Sequence, residues 1–180
     1  QTANGTSGAL SKLIDTALTW KDIENFKTYT NLPIVLKGVQ RVDDAIKAAE
    51  IGWRGIVLSN HGGRQLDFSL PPVEVLAEVM PELRSRGLDK SFDVFIDGGI
   101  RRGTDVLKAL CLGASGVGIA SPFLYANSLY GKEGVEKAFD LLVKELILSM
   151  RLLGVTDISQ LNPDLLDLRG LYERSLPSSY

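Results

Sequence analysis

The chain has 180 residues, of which 44% are hydrophobic and 23% charged, and its formal net charge is −2. This profile is typical of a globular domain and excludes a disordered or fibrous chain. A slightly acidic chain without a basic stripe argues against a nucleic-acid partner, and the lack of any run of about 18 apolar residues argues against a membrane span.

The N-terminal stretch, residues 1–17, is predicted to be the end of an exposed loop. Residues 1–8 are polar and rich in Gly and Thr, and they lack the basic and apolar regions of a signal peptide. Because there is no initiator methionine, we expect the chain to be a piece of a longer protein. The pattern Thr-Trp-Lys-Asp that begins at Thr19 is a capping box, which predicts a helix over residues 20–30.

Strands and helices alternate along the rest of the chain. Four short apolar runs predict strands at 32–37, 55–59, 93–97 and 116–120, and the almost wholly apolar run 32–37 is typical of a strand buried on both faces in a parallel sheet. Helices are expected at 42–50, from Pro71-Pro72 to residue 86, and at 102–112. A long amphipathic helix is expected at 133–153, with one apolar stripe formed by Val135, Phe139, Leu142, Leu146 and Met150. The C-terminal tail, residues 155–180, is polar and is expected to form one short helical turn near 163–168.

An internal similarity indicates how these elements are arranged. Residues 44–56 and 105–117, spaced 61 residues apart, both consist of a helix, a glycine stop, a short connection and a strand. Four such βα units predict an α/β fold that is half of a (β/α)₈ TIM barrel, with residues 1–180 as one domain. An open, doubly wound sheet of four strands is the alternative.

Polar or glycine residues follow all four strands, at the edge where a barrel carries its chemistry. The most informative group is Ser59-Asn60-His61-Gly62-Gly63-Arg64. An imidazole titrates near neutrality, so His61 can act as a base, and the planar guanidinium of Arg64 matches a carboxylate. This pair predicts the oxidation of a 2-hydroxy acid. A His-Gly-Gly turn with a solvated arginine is the alternative.

The third and fourth strand ends predict a phosphate site. Gly98 and Gly99 expose backbone N–H groups before a helix, Arg101 adds charge, and Ala120-Ser121 follows the last strand. No group of His, Cys, Asp or Glu has the spacing of a metal site, and no Ser-His-Asp triad can be built around the single histidine. Three other conspicuous residues are expected to serve packing: Trp20, Trp53 and the single cysteine, Cys111.

Segments 32–39 (LPIVLKGV), 59–67 (SNHGGRQLD) and 97–106 (DGGIRRGTDV) resemble the FMN-dependent α-hydroxy acid dehydrogenase/oxidase family. Segments 18–23, 107–114, 123–128 and 150–156 are most similar to its flavocytochrome branch. The resemblance covers residues 9–170. It implies strands 5–8 of the barrel, the cofactor FMN, and oxidation of a lactate-like L-2-hydroxy acid to the 2-keto acid.

The resemblance also implies residue roles. Lys37 would lie near the flavin N1 and C2 carbonyl, Ser59 would contact the flavin, His61 would be the catalytic base beside it, and Arg64 would hold the substrate carboxylate. The ribityl chain and phosphate would be bound by Asp97, Gly98, Gly99 and Arg101. The family has Gly-Arg after the last strand, whereas this chain has Ala120-Ser121. We therefore expect weaker FMN binding, unless Arg101 or Arg102 compensates for the missing charge.

The resemblance implies partners as well. They are the N-terminal half of the same barrel, which would carry the remaining flavin contacts, and further copies of the protein in a homotetramer. Haem would occur only on a missing N-terminal domain. The implied location is the mitochondrial intermembrane space or the cytoplasm. Two other hypotheses stay open: a different FMN barrel enzyme, which would not need the His61/Arg64 pair, and a non-catalytic half-barrel.

Overall fold

The structure, a computed structural model, describes residue 15 and residues 17–172. Of the loop predicted for residues 1–17, all but residues 15 and 17 lie outside the described residues, and so does the end of the tail, residues 173–180. Contacts divide the chain into two units, Gln1–Pro33 and Ile34–Tyr180. Within the described part of the chain, no helix combines the length and the apolar character needed to cross a bilayer.

The first unit contains helix α1 (Trp20–Asn25), followed by a 3₁₀ turn at Phe26–Thr28. The predicted capping box is present, because Asp22 N–H donates to Thr19 Oγ1 and the Asp22 carboxylate accepts from the Thr19 N–H. The prediction of a single helix through residue 30 is wrong at its end. There the Thr28 hydroxyl donates to the Asn25 carbonyl at 2.7 Å and competes with the backbone donors of the last turn.

The second unit is built on four parallel strands: β1 (Val35–Val39), β2 (Gly55–Ser59), β3 (Asp93–Asp97) and β4 (Gly116–Gly118). They lie side by side in chain order. A doubly wound sheet reverses its strand order part-way across, so the doubly wound alternative is wrong. The unreversed order is that of a barrel wall, since right-handed crossovers then place every helix on the same face.

Two strands differ from their predicted bounds. β1 starts at Val35 rather than at Leu32, because Val35 is paired with Gly55, the first residue of β2, and Pro33 has no N–H to donate. β4 ends at Gly118 rather than at Ala120, because Gly118 lies opposite Asp97, the last residue of β3. A register shift interrupts the pairing of β1 with β2 between Lys37 and Val39.

Helices α2 (Val42–Ile51), α3 (Pro72–Ser85) and α4 (Gly103–Leu112) connect the strands, and each helix packs against the next. On the sheet face that they cover, four side chains are at most 1% exposed: Ile56, Leu58, Val94 and Ile96. The alternate residues Val57 and Phe95 are only half-buried. The burial on both faces predicted for the run 32–37 is wrong as well, since Val35 is 39% exposed. The reason is that four strands of a barrel wall do not enclose their own inner face.

The last long helical segment, α5 (Ser121–Leu152), consists of two helices, and the second of them agrees with the helix predicted at 133–153. It is broken at Gly131, where φ is 58° and ψ is −146°. A Cβ on Gly134 would collide with the Ala126 carbonyl oxygen, so the two parts of α5 approach each other closely. Met150 is buried as the predicted stripe requires, whereas Phe139 is 59% exposed and does not belong to it.

The C-terminal tail packs back onto the helices. Val155 joins Leu107, Cys111 and Met150 in a buried cluster, against which Leu161, Leu165 and Leu166 pack. Two 3₁₀ turns, Ile158–Gln160 and Pro163–Leu165, lead to α6 (Arg169–Tyr172). The second turn confirms the helical turn predicted near 163–168. Cys111 and Trp53, 1% and 4% exposed, are core residues as predicted.

Candidate active site

A cavity of about 500 Å³ opens at the carboxyl ends of β2, β3 and β4. This is the edge at which a parallel barrel carries its active site. The cavity is lined by the segments that follow those strands, residues 60–61, 97–101 and 118–122. Seven of the ten site residues predicted from the sequence line it, namely His61, Asp97, Gly98, Gly99, Arg101, Ala120 and Ser121. The other three, Lys37, Ser59 and Arg64, do not.

Lys37, Ser59 and Asp97 meet at the ends of β1, β2 and β3. Lys37 Nζ donates to Ser59 Oγ at 2.9 Å and lies 3.0 Å from Asp97 Oδ2. Ser59 is 2% exposed, and its Oγ also accepts from the backbone N–H of His61 at 3.3 Å. Gly38, with a φ of 94°, forms the bulge directly after Lys37, a device that redirects a strand beside a site. Hydrogen bonds and one ion pair thus connect Asp97, Lys37, Ser59 and the start of the next turn.

His61 and Arg64 lie on one 3₁₀ turn, His61–Arg64, directly after β2. Side chains three residues apart eclipse one another in a 3₁₀ helix, so the two lie on the same side of the turn. His61 lines the cavity, whereas Arg64 is exposed and lies outside the lining. The fold therefore brings the imidazole to the cavity and leaves the guanidinium one turn further along.

The loop after β3 passes the cavity in a conformation that requires glycine. Gly98 and Gly99 have φ values of 100° and 80°, a region that other residues rarely adopt. A Cβ on Gly98 would also collide with Asn60 Oδ1. The N–H groups of Gly99 and Ile100 donate to no acceptor among residues 17–172. Unpaired N–H groups that border a cavity form a site for an anion.

Of the two arginines that follow this loop, only Arg101 is available to a ligand in the cavity. Arg101 lines the cavity. Arg102 instead donates to Glu145 on α5, through Nη2 at 2.7 Å and Nε at 3.4 Å, and Glu145 also accepts from the Gly103 N–H at 2.9 Å. These bonds, the one from Arg102 most of all, lower the pKa of the Glu145 carboxyl, and the same contact raises the pKa of Arg102. Arg102 is thus held by α5 and away from the cavity lining.

Ala120 and Ser121 line the cavity where α5 begins, and no side-chain hydrogen bond caps that end of the helix. In the part of the chain that the structure describes, Arg101 is the one arginine of the lining. The lining contains no lysine either, so the positive charge next to the glycine loop is small.

Three residues at this site were missed by reasoning from the sequence. Asn60 lines the cavity and packs against Gly98, and its place between Ser59 and His61 was the available signal. Gln40 donates from Nε2 to the Ser59 carbonyl at 2.8 Å. Glu145 accepts from the Arg102 side chain and the Gly103 N–H from more than 40 positions away, a contact that no local pattern indicates.

Comparison with known proteins places these observations in a family. Residues 1–168 match the profile of the FMN-dependent dehydrogenases. The chain is 66% identical to L-lactate dehydrogenase (cytochrome) of Saccharomyces cerevisiae, over 97% of this chain and 29% of that protein. It is 61% identical to L-lactate dehydrogenase (cytochrome) of Wickerhamomyces anomalus, over 97% of this chain and 30% of that protein. It thus spans less than a third of the length of these two relatives.

Solved structures agree with the sequence comparison. The recombinant flavin-binding domain of baker's yeast flavocytochrome b2 matches with a TM-score of 0.88 and 66% identity, over 97% of this chain and 44% of that one. A mandelate oxidase with benzoylformic acid matches with a TM-score of 0.72 and 42% identity, over 79% of this chain and 41% of that one. The prediction of an α/β fold that is part of a (β/α)₈ barrel is confirmed. The chain belongs to the FMN-dependent dehydrogenase family.

Proposed function

We propose that the chain is the C-terminal half of a flavin domain that oxidises an L-2-hydroxy acid of the lactate class to the 2-keto acid. The observation that carries the proposal is the position of His61, which lines the cavity and is joined through Ser59 to Lys37 and Asp97. A histidine base held next to a hydrogen-bonded, charged set of strand-end residues is suited to removing a substrate proton.

The residues present fit FMN as the cofactor. Gly98 and Gly99 hold the loop in a conformation that other residues rarely adopt, and the N–H groups of Gly99 and Ile100 have no acceptor among the described residues. These groups, with Arg101, would hold the phosphate and the adjoining ribityl chain. Lys37 and Ser59 would hold the ring end, Asp97 the ribityl chain, and Ala120 and Ser121 would border the phosphate end. Bound there, FMN would accept the two electrons that leave the substrate.

The remaining chemistry belongs to the side chains of this chain. An imidazole nitrogen of His61 takes a proton from the substrate. Arg64, on the same side of the turn, binds the substrate carboxylate with its planar pair of donors. Lys37, held in position by Ser59 and Asp97, contributes a fixed positive charge, which favours the development of negative charge nearby without reorganisation of water.

The partners of the proposed enzyme follow from the incomplete sheet. The inner face is half-exposed, and we propose that the N-terminal half of the same barrel covers it and supplies the rest of the flavin and substrate contacts. A homotetramer is the proposed assembly. A haem, where one is present, would lie on a further domain outside this chain.

The test of the proposed function is His61→Gln in the flavin-loaded, full-length protein. We expect FMN to be retained and L-lactate oxidation per bound flavin to fall by roughly 10²–10⁴-fold, the usual contribution of a general base. Lys132→Gln, on the exposed surface of α5 where Lys132 pairs with Glu136, is the control and is expected to leave turnover unchanged. Unchanged turnover in His61→Gln would reject His61 as the base, and a flavin-loaded protein without L-lactate oxidation would favour a different FMN barrel chemistry.

A further inference from the structure

We propose that Gln40 is a positioning residue that holds the His61–Arg64 turn in place by binding the backbone on both sides of it. The inference rests on the proposed function, which assigns the base and the carboxylate-binding group to that turn. Gln40 lies outside the cavity lining, so it would act on the site only through the turn.

The contacts of Gln40 reach the two ends of one segment. Gln40 follows β1 directly, and its Nε2 donates to the Ser59 carbonyl at 2.8 Å and reaches the Leu70 carbonyl at 3.5 Å. Ser59 is the last residue of β2, and Leu70 lies two residues before α3. The residues between these two carbonyls, 60–69, include both His61 and Arg64.

This segment has few other means of holding its position. Its internal hydrogen bonds are local, such as Gly63 N–H to the Asn60 carbonyl at 2.9 Å and Leu66 N–H to the Gly62 carbonyl at 3.1 Å. Burial contributes little, because Leu66 is 79% exposed and Phe68 is 95% exposed. Segments with exposed backbone bonds and little buried apolar surface open at low free-energy cost. A side chain next to β1 that binds the backbone at both ends of the segment therefore has a large share in fixing the turn.

An amide is the group that this position requires. The glutamine NH₂ has two N–H donors and can serve two carbonyl acceptors at once. A methionine of similar size has none, and an asparagine, shorter by one methylene, does not span the same distance. Gln40→Met and Gln40→Asn are therefore two independent ways to remove the tie while keeping a side chain of compatible size or polarity.

The experiment compares Gln40→Met and Gln40→Asn with the unchanged, flavin-loaded, full-length protein. In both variants we expect faster amide hydrogen exchange over residues 60–70 and unchanged exchange in β3. We expect kcat/KM for the hydroxy acid, per bound flavin, to fall by roughly ten- to a hundredfold with a raised KM, because misplaced catalytic groups lose that much. FMN affinity should stay within about twofold, since Gln40 does not border the cavity.

The control is Gln160→Met, whose glutamine serves only the turn after α5, through bonds from Thr156 and Asp157. It is expected to leave exchange over 60–70 and KM unchanged. If Gln40 only supported the fold, its variants would give less folded enzyme with an unchanged KM, and that result overturns the inference. Unchanged amide exchange over residues 60–70 in both Gln40 variants also overturns the inference. This exchange can be measured whether or not the protein oxidises a hydroxy acid, so the inference and the proposed function can fail independently.

Discussion

Ser59 is the residue at which the candidate site is organised. It is almost fully buried, and its hydroxyl accepts from Lys37 and from the His61 N–H while its carbonyl accepts from Gln40. A buried hydroxyl without partners would be costly, so these bonds also stabilise the end of β2. One small side chain thus links the ends of β1 and β2 to the turn that carries the proposed base.

The sparse positive charge beside the glycine loop leads to a prediction about cofactor affinity. The double change Ala120→Gly/Ser121→Arg adds a cation where α5 meets the cavity. We expect it to tighten FMN binding about tenfold or more, the effect of a charge-assisted hydrogen bond of about 1.5–3 kcal/mol. Riboflavin, which has no phosphate, should bind the double variant and the unchanged protein equally. Titration of the apoprotein, followed by flavin fluorescence, measures both affinities.

The control for this prediction is Ser128→Arg, because Ser128 is exposed on α5 and does not line the cavity. It is expected to change neither affinity. Tight FMN binding in the unchanged protein that does not respond to the double change would show that Arg101 and the loop N–H groups already suffice.

At the scale of elements, α4 and α5 are joined by a close contact at Gly103. A Cβ there would collide with the backbone of Leu142 and Leu146, so the first residue of α4 lies directly against α5. Glu145 completes this contact by accepting from the Gly103 N–H and from Arg102. The start of α4 would otherwise leave N–H groups without partners. Because the loop before α4 lines the cavity, the same contact steadies one wall of the site.

Glu145→Gln is expected to destabilise the protein at neutral pH, because it weakens the bonds to Arg102 and Gly103. The pKa of Glu145 is lowered in the folded protein, mainly by Arg102, so its contribution is present above the ordinary carboxyl value of about 4.3 and is lost as the pH falls through the folded value. The difference in urea midpoint between the variant and the unchanged protein should therefore shrink towards zero in acid.

The control for this prediction is Glu136→Gln. Glu136 forms an exposed pair with Lys132 at 3.4 Å, and such pairs contribute little to stability. We expect its urea midpoint to match that of the unchanged protein at neutral pH. A Glu145→Gln difference that is constant with pH would show that the carboxylate charge plays no part in the contact.

At the scale of the whole molecule, the described helices cover the sheet of the second unit on one face only. The helices bury the outer side of β2 and β3, while the inner side and the edge strand β1 stay partly exposed, with Val35 at 39%. The chain covers 44% of the flavin-domain structure that it matches with a TM-score of 0.88. The exposed face is accordingly where the proposed N-terminal half of the barrel would pack. On the outer side, residues 155–166 of the tail close one end by packing against α4 and α5.

The closure by the tail can be tested through the buried thiol. Desolvation raises the pKa of Cys111, which packs with Val155 under Leu161, Leu165 and Leu166. Val155→Asp places a charge in this cluster, and we expect the thiol to react with a disulfide reagent roughly tenfold faster or more, the factor that about 1.4 kcal/mol represents. Ile158→Asp, at a residue 56% exposed, is the matched control and should leave the rate unchanged. Equal rates in all three proteins would mean that the tail does not protect Cys111.

Much of the fold was predictable from local patterns. The glycine stops after α2 and α4, the capping box at Thr19 and the apolar runs placed nearly every element, because these signals act within a few residues. Apart from the end of α1, which the local bond of Thr28 explains, the errors fell where a distant partner decides. β4 is short because β3 ends at Asp97, and Phe139 is exposed although it shares the period of the buried residues around it.

By itself, the sequence determined the strand-end residues on which the proposed chemistry rests, since parallel strands place their carboxyl ends at one edge of the sheet. Which of those residues border the cavity was decided by tertiary structure alone. Arg101 lines it while Arg102 is bound by Glu145, and His61 lines it while Arg64 does not. Neighbouring residues of one loop look alike in a sequence. Only the elements packed against the loop decide which of their side chains borders the cavity.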